Sequence, residues 1–299
     1  MADVRALAKP LPAERSTPTL VERPLVLDFQ DHSVQVGYRF RHDEVLRPAP
    51  VPAFPSLVLD DQRVERTATL EYRRKVGTDF EAGIRLPWTD LQESRPTLIS
   101  PLATPPFFTA LDEVKQEHGL GDLELFVAKA FNRPGLSRRL GLEVKLDNGR
   151  SSIPDATSLP LGTGQRDYSL SYGLKQTRGS FALAGSAGLR LRAEGDVGAL
   201  TGPAVRYDPG DELFASVRAD CRIERWWTAS LTLQGLTSGR DRVNQAEQAG
   251  SSRQLVALTP TLTFQASPVL EVIAEVELPV VAHNVPDTAM FSAALRWRH

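Results

Sequence analysis

Residues 213–236 read LFASVRADCRIERWWTASLTLQGL and predict one long β-hairpin. In the first arm, which runs to Glu224, apolar or small residues occupy the odd positions, and polar or charged residues together with Phe214 occupy the even ones. The second arm repeats the alternation, with Leu231 and Leu233 on its apolar face. A period of two is the signature of a β-strand whose two faces meet different surroundings.

Two features of this hairpin favour a membrane-spanning barrel over a soluble sheet. Each arm alternates for about 10 to 12 residues, which suits a tilted transmembrane strand, whereas strands of globular proteins average about five or six. Trp226 and Trp227 stand at the turn, where an interfacial ring of aromatic residues would place them. One hairpin does not settle the choice, so the decision depends on the rest of the chain.

The same alternation recurs along the chain and predicts a specific architecture. About twelve alternating segments are joined in turn by short and long connections. The short connections are expected at Lys75–Thr78, Asn132–Gly135, Thr177–Gly179, Arg225–Trp226 and Ser267–Pro268. The pattern predicts an all-β fold, a transmembrane antiparallel β-barrel of about 12 strands with short periplasmic turns and long outer loops.

Aromatic residues are expected to form two rings around this barrel. At the short-turn end we expect Tyr72, Phe80, Phe131, Phe181, Trp226, Trp227, Phe264 and Trp297, and at the other end Phe40, Trp88, Tyr168 and Phe214. Two such rings are typical of an apolar band that meets water on both sides.

Some segments depart from the alternation. Residues 1–30 are rich in proline and charge and are predicted to be a flexible N-terminal leader, which leaves residues 31–299 as the barrel. The segment Phe107–His118 is predicted to form a short helix in the longest outer loop, ended by Gly119 and able to fold over the mouth as a lid. Pro260 is expected to cause a bulge, because proline removes a ladder donor from its strand.

The N-terminus, MADVRALAKP, lacks the apolar segment of a secretory signal peptide. A barrel of the bacterial outer membrane needs such a signal. Either the sequence is a mature form with an added Met1, or the outer-membrane interpretation is wrong.

Composition excludes several classes of function. A net charge of −2 over 299 residues leaves no basic footprint for nucleic acid, and no apolar run approaches the roughly 18 residues of a transmembrane helix. The single cysteine, Cys221, falls on an apolar face and is interpreted as a small hydrophobic residue. We assign no catalytic residue, cofactor or metal. The histidines His32, His42, His118, His283 and His299 fall in loops or at ends, and none lies in mid-strand beside an outward-facing serine.

Two glycine-containing segments lead into strands, Gly119-Leu-Gly-Asp122 and Leu161-Gly-Thr-Gly-Gln165, the second just before Asp167 and Tyr168. Taken alone, Gly119, Gly121, Gly162 and Gly164 are turn glycines, and the phosphate-loop pattern GxxxxGK is absent. On these segments the chain resembles, over most of residues 30–299, the outer-membrane family of the MetA pathway of phenol degradation. The resemblance implies a barrel of roughly twelve strands that acts as a channel or transporter for small aromatic or hydrophobic molecules, and it implies no catalytic residue.

Charged residues on the polar faces of the strands cannot face lipid cheaply, since Arg or Lys at the bilayer midplane costs about 2 to 4 kcal/mol. We therefore predict that they line the lumen. The predicted lumen residues are Arg39, Arg41, Glu71, Arg73, Glu81, Arg85, Glu143, Lys145, Lys175, Arg190, Arg192, Arg218, Asp220, Arg222, Glu271, Glu275, Glu277, Arg296 and Arg298. With about twelve strands, the lumen is either an open pore or one that these side chains fill.

Three functions remain open at this stage. The first is an outer-membrane channel or transporter, whose partners are membrane lipid and a small-molecule solute. The second is a non-transporting barrel that scaffolds an envelope protein partner through its leader or long loops. The third, a lipid hydrolase of the outer membrane, would need a nucleophile beside a base. Nucleic acid is not an expected partner.

The closing hairpin allows a register to be predicted. If the connection between Leu278 and Thr288 is an outer loop, Glu271 lies opposite Arg296, with both side chains inward and toward the periplasmic end. Glu277 is expected near the outer mouth, where water would screen its charge.

Overall fold

The computed structural model of the protein describes residues 32–48, 58–99, 109–149, 164–197, 205–285 and 287–298. Every regular element within these ranges is a β-strand. The strands are β1 (His32–Pro48), β2 (Val58–Val76), β3 (Phe80–Ile99), β4 (Thr109–Leu120), β5 (Glu124–Arg133), β6 (Leu136–Lys145), β7 (Asp167–Arg178), β8 (Phe181–Arg192), β9 (Gly195–Val197), β10 (Val205–Asp208), β11 (Glu212–Arg222), β12 (Trp227–Ser238), β13 (Arg242–Val243), β14 (Ala246–Glu247), β15 (Gln254–Gln265), β16 (Leu270–His283) and β17 (Met290–Arg298). No helix in the described part of the chain is long and apolar enough to cross a bilayer.

The long strands close into one antiparallel barrel of twelve strands, as predicted, in which β4 and β5 follow each other along β3 and together occupy one strand position. The first strand, β1, pairs with β2 and also with the last strand, β17, from Ser33↔Arg298 to Arg41↔Met290. The five predicted short turns connect β2 to β3, β5 to β6, β7 to β8, β11 to β12 and β15 to β16. Because successive strands are antiparallel, these turns all lie at one end of the barrel, and the long connections lie at the other.

The polarity of the barrel is the reverse of that of a soluble protein. In β2, Glu71 is 3% exposed, whereas its neighbours Leu70 and Tyr72 are 48% and 38% exposed. The same contrast recurs around the barrel, with leucine and valine on the outer surface and charged residues buried inside. An apolar outer band around a polar interior is typical of a transmembrane barrel.

The aromatic residues predicted to ring the barrel are largely on its outer surface. Those exposed on it are Tyr72, Phe80, Trp88, Phe131, Tyr168, Trp227 and Trp297, while Phe181 and Trp226 are exposed at the short-turn end, where they also line an interior cavity. Lys129 lies over both Phe80 and Phe131, 5.2 Å from each ring centroid, in the manner of a cation held at a membrane interface. Phe214 was wrongly assigned to a ring, because it shares the inward face of β11 with buried Glu212 and packs over Gly188.

The predicted helix Phe107–His118 is wrong wherever the structure describes it. Residues 109–120 form β4, which pairs with the outer part of β3 from Ile99↔Thr109 to Trp88↔Leu120. Residues 107 and 108 lie outside the described residues. After a break at residues 121–123, the chain continues as β5, which pairs with the part of β3 nearer the short turn, from Arg85↔Glu124 to Phe80↔Lys129. Pro87 lies opposite this break, and its carbonyl accepts a hydrogen bond from Gly121 at 3.0 Å. A helical lid is therefore not part of the fold.

The bulge expected at Pro260 lies nearby but not at the proline. The register between β15 and β16 shifts between Val256 and Ala257, and Ala257 pairs with Pro279 of the neighbouring strand. On the β16 side of β15, the pairing passes directly from Leu258↔Leu278 to Thr261↔Glu275, so Pro260 has no partner there. On the β12 side, Pro260 still pairs with Leu231. The ladder thus adapts to two prolines, each of which lacks a backbone donor.

Candidate functional site

The interior of the barrel between β2 and β6 is filled by ion pairs. Glu71 accepts hydrogen bonds from Arg73 and from Arg85, whose Nε lies 2.9 Å away. Arg85 also pairs with Glu124 and lies 3.9 Å from Glu143. These side chains meet because alternate residues of neighbouring strands point to the same face of a sheet. Each buried charge therefore has a partner of opposite sign, which offsets the cost of removing it from water.

A second network of charges lies at the loop end of the interior. Glu212, only 1% exposed, lies 2.9 Å from Arg190, 3.1 Å from Arg192 and 3.8 Å from Arg253. Arg253 also pairs at 3.1 Å with Asp241, in the connection between β12 and β15. One carboxylate among three guanidinium groups thus joins β8 and β11 to the segment that precedes β15.

Two outer loops form a small sheet next to this network. The strands β9, β10, β13 and β14 pair in a four-stranded sheet, to which the β8–β11 and β12–β15 connections both contribute. Tyr207 of β10 donates a hydrogen bond to Asp241 at 2.7 Å, and Gln165 donates one to the Tyr207 carbonyl at 3.4 Å. Burial, and then the hydrogen bond to Asp241, raise the pKa of Tyr207 above its ordinary value, so the phenol remains a donor.

Both glycine-containing segments lead to buried polar residues. Asp122, 6% exposed, accepts a hydrogen bond from the backbone of Gly149 at 2.9 Å and lies 3.8 Å from Lys145. Lys145 also pairs with Asp167 at 2.6 Å. Gly164 has a φ of 64°, the left-handed conformation predicted for a turn glycine, while residues 161–163 lie outside the described ranges. These contacts order the outer ends of β5, β6 and β7.

The interior is open at the short-turn end, along the wall from β7 to β17. A cavity of about 290 Å³ lies there, and we call it the vestibule. Its charged and aromatic lining consists of Lys175, Phe181, Arg218, Asp220, Arg222, Arg225, Trp226, Glu271, Glu275, Arg296 and Arg298. A cavity of this size approaches the lower end of the range, roughly 300 to 1,000 Å³, for small-molecule sites.

The vestibule narrows toward the loop end. A second pocket, of about 10 Å³, shares Arg218, Thr261, Glu275 and Ser292 with the vestibule, and we call it the constriction. Its lining also includes Thr232, Gln234, Thr259, Glu277 and Met290. A volume of this order accommodates about one water molecule. The two cavities therefore adjoin each other, and the smaller one lies on the side toward the middle of the barrel.

The structure groups the residues that the sequence analysis assigned to the lumen. Glu71, Arg73, Glu81, Arg85 and Glu143 lie in or beside the β2–β6 ion-pair network, and Lys145, Arg190 and Arg192 lie at the loop end. Lys175, Arg218, Asp220, Arg222, Glu271, Glu275, Arg296 and Arg298 line the vestibule. Arg41 pairs with Asp43 and Glu65, Arg39 interacts electrostatically with Glu65 and Glu277, and Glu277 lines the constriction. Arg222 is exposed at the end of its strand.

Two findings differ from the sequence analysis. Glu277 was wrongly expected to be screened by water, since it is 8% exposed and accepts a hydrogen bond from Gln234 at 2.6 Å. Glu124, Arg139 and Glu212 are buried partners that the analysis did not select. Alternation could have identified all three, because each shares a face with residues that were selected on the same or a paired strand.

The predicted register of the closing hairpin is confirmed. Glu271 pairs with Arg296 across β16 and β17, and the Arg296 Nη1 lies 3.3 Å from the carboxylate. Arg298 lies 2.6 Å from the same group. Among the residues that the structure describes, no group of three or more His, Cys, Asp or Glu side chains is placed to hold a metal ion.

Comparison with known proteins shows the fold. No protein-family model matches the chain, and no curated protein matches it in sequence. The COG4313 outer membrane channel from Pseudomonas putida F1 matches with a TM-score of 0.67 and 10% identity, over 91% of this chain and 97% of that one. The toluene transporter TbuX of Ralstonia pickettii (8% identity, 91% and 90% coverage) and the NanC porin (10%, 89% and 98%) both score 0.49, too low to support an argument. The chain therefore has the fold of an antiparallel β-barrel of the outer-membrane type.

Proposed function

We propose that this chain is an outer-membrane channel for small molecules. The observation that carries the proposal is that the vestibule and the constriction adjoin each other in the interior, where they share Arg218, Thr261, Glu275 and Ser292. A barrel whose only task was structural would gain stability from filling this space with packed side chains. The proposal assigns no catalytic residue, cofactor or metal to the chain.

The proposed solutes are small and include aromatic molecules. The constriction, at about 10 Å³, admits little more than water in this conformation, so side-chain movement must accompany the passage of a larger solute. Met290 and Glu277 are opposite each other in the β16–β17 pair at this level. The aromatic part of the proposal is supported by the family resemblance of the two glycine-containing segments and by Trp226 in the vestibule wall.

Single-channel recording in a planar bilayer tests the proposal. We expect steady unit conductance from the full-length protein. Met290 is 6% exposed and lines the constriction, so Met290→Ala should raise the unit conductance by removing side-chain volume at the narrowest level. The matched control is Leu295→Ala on the outer face of the same strand, where Leu295 is 52% exposed and the substitution should leave conductance unchanged.

Silence from a correctly folded wild-type barrel, together with silence from Met290→Ala, would contradict the channel proposal and favour the scaffold function. Correct folding is established separately by heat-modifiable migration on gels and by a β-rich circular dichroism spectrum in detergent.

A further inference from the structure

The vestibule has an excess of positive charge. Its lining includes six cationic side chains, from Lys175, Arg218, Arg222, Arg225, Arg296 and Arg298, against the three carboxylates of Asp220, Glu271 and Glu275, which leaves an excess of three. The chain as a whole has a net charge of −2. The excess is therefore a local property of this cavity.

The excess arises because carboxylates are shared between cations. Glu271 lies between two guanidinium groups, 3.3 Å from Arg296 and 2.6 Å from Arg298. Asp220 is likewise shared, 2.6 Å from Arg218 and 4.0 Å from Lys175. In each of these groups one carboxylate lies beside two cationic side chains that line the cavity.

The turn between β11 and β12 adds two further cations at the cavity mouth. Arg222 and Arg225 are both exposed there, and within the described residues neither has an ion-pair partner. Glu275, the remaining carboxylate, accepts a hydrogen bond from Ser292 at 2.7 Å. A cleft whose lining has an excess of one sign of charge attracts ligands of opposite charge, and a lining of a single sign raises their local concentration by about 10-fold to 1,000-fold.

A tryptophan at the mouth of the vestibule can stack against the aromatic ring of a solute. Trp226 lines the vestibule and is 39% exposed. The Arg225 guanidinium lies 4.6 Å from the centroid of its ring, which fixes a cation beside an aromatic surface. A planar ring can stack on tryptophan or on a guanidinium plane, and a guanidinium binds a carboxylate through two parallel hydrogen bonds.

We infer that the vestibule binds small aromatic carboxylates of the size of benzoate as they approach or leave the constriction from the short-turn end. The inference rests on the proposed channel function, because it names the class of solute for the same channel. The carboxylate is recognised by the turn arginines Arg222 and Arg225 within a cavity whose lining has an excess of cationic side chains, and the ring is recognised by Trp226. A single-ring acid fits a cavity of about 290 Å³.

Isothermal titration calorimetry on the full-length protein in detergent tests this inference with three probes. Benzoate has both charge and ring, acetate has the charge alone, and benzyl alcohol has a ring of similar size without charge. We expect benzoate to bind more tightly than acetate and benzyl alcohol not to bind measurably. Equal binding of benzoate and benzyl alcohol would overturn the inference, since charge would then play no part.

Two variants locate the site. The double variant Arg222→Ser with Arg225→Ser removes two of the three excess charges from an exposed turn and should weaken benzoate binding about tenfold or more. The matched control, Arg240→Ser with Arg242→Ser, removes two exposed arginines in an outer loop and should leave binding unchanged. Trp226→Ala should reduce benzoate affinity to that of acetate. Unchanged binding in the turn double variant, or equal weakening in the loop control, would overturn the assignment.

The two proposals fail separately. Binding is measured without ion flow, so a silent barrel that binds benzoate would refute the channel and keep the site. A conducting barrel whose benzoate affinity is unchanged by the Arg222→Ser and Arg225→Ser double substitution would support the channel proposal and refute the proposed binding site.

Discussion

At the scale of single residues, the interior is organised around buried carboxylates that each hold more than one guanidinium group. Glu71 binds Arg73 and Arg85, and Glu271 binds Arg296 and Arg298. Removing one partner from such a group costs more than the pair contributes, because the remaining charges stay buried without compensation. Stability at this scale therefore depends on the carboxylates at the centres of these groups.

The closing hairpin offers a direct test of this argument. Glu271→Gln leaves two guanidinium groups without their shared carboxylate and should lower the free energy of unfolding by about 3 kcal/mol. Glu277→Gln keeps an oxygen that can accept the hydrogen bond from Gln234, and Arg39 retains Glu65 as a partner, so this substitution should cost about 1 kcal/mol. The control Glu224→Gln, in an exposed turn, should change little. The measurement is the midpoint of denaturant unfolding in detergent or lipid, and equal midpoints for Glu271→Gln and Glu277→Gln would refute the argument.

The sequence predicts one of these two environments and not the other. Alternation and loop length place Glu271 opposite Arg296, because a register in a hairpin follows from local geometry. The burial of Glu277 depends on Gln234, which reaches it from β12 although the two residues are 43 positions apart. A contact of this range leaves no periodic signal in either strand.

At the scale of elements, pairing between strands outweighs local helix signals. Leu111 and Val114 have the spacing of one helix face, and this spacing led to the predicted helix. In the fold Val114 pairs with Ser94, and β4 extends the long edge of β3. The short strands of the outer sheet, such as Arg242–Val243, escaped prediction because two residues cannot display an alternation.

Strand β8 provides a matched pair of glycines that tests how tightly its inner face is packed. A Cβ at Gly188 would lie 2.1 Å from the Phe214 ring and 2.6 Å from the Leu170 carbonyl, whereas at Gly185 the nearest atom would be 3.8 Å away. Gly188→Ala should therefore destabilise the barrel by about 1 to 3 kcal/mol. Gly185→Ala should be neutral or slightly stabilising.

Unfolding midpoints of the two variants, measured under one condition, decide the matter. A tolerated Gly188→Ala would mean that Phe214 does not occupy the inner face of the barrel over this glycine, and that its assignment to an outer aromatic ring deserves to be restored.

At the scale of the whole molecule, the fold follows from two properties that the sequence displays repeatedly. Alternation over strands such as β11 gives an apolar and a polar face, and the regular order of short and long connections gives an even number of antiparallel strands. Closure removes every barrel edge and satisfies the backbone groups, as a bilayer requires. The vestibule could not be predicted from the sequence in this way. Its excess of positive charge depends on which carboxylates lie beside more than one cationic side chain, and this is set by the three-dimensional arrangement of the strands.

The reversed polarity makes a depth-dependent prediction about the outer face of β11. Val217 is 53% exposed at the centre of this strand, and Leu213 is 57% exposed near its loop end. On a face that meets water the two positions would tolerate arginine equally. On a face that meets lipid, an arginine costs about 2 to 4 kcal/mol at the midplane and about 0 to 1 kcal/mol near an interface.

Val217→Arg should therefore be the more destabilising substitution by about 2 kcal/mol, measured as the difference in unfolding free energy after folding into lipid bilayers. In short-chain detergent, which adapts to the protein surface, the gap should shrink. Equal stabilities in the bilayer would mean that the centre of β11 does not lie at the midplane.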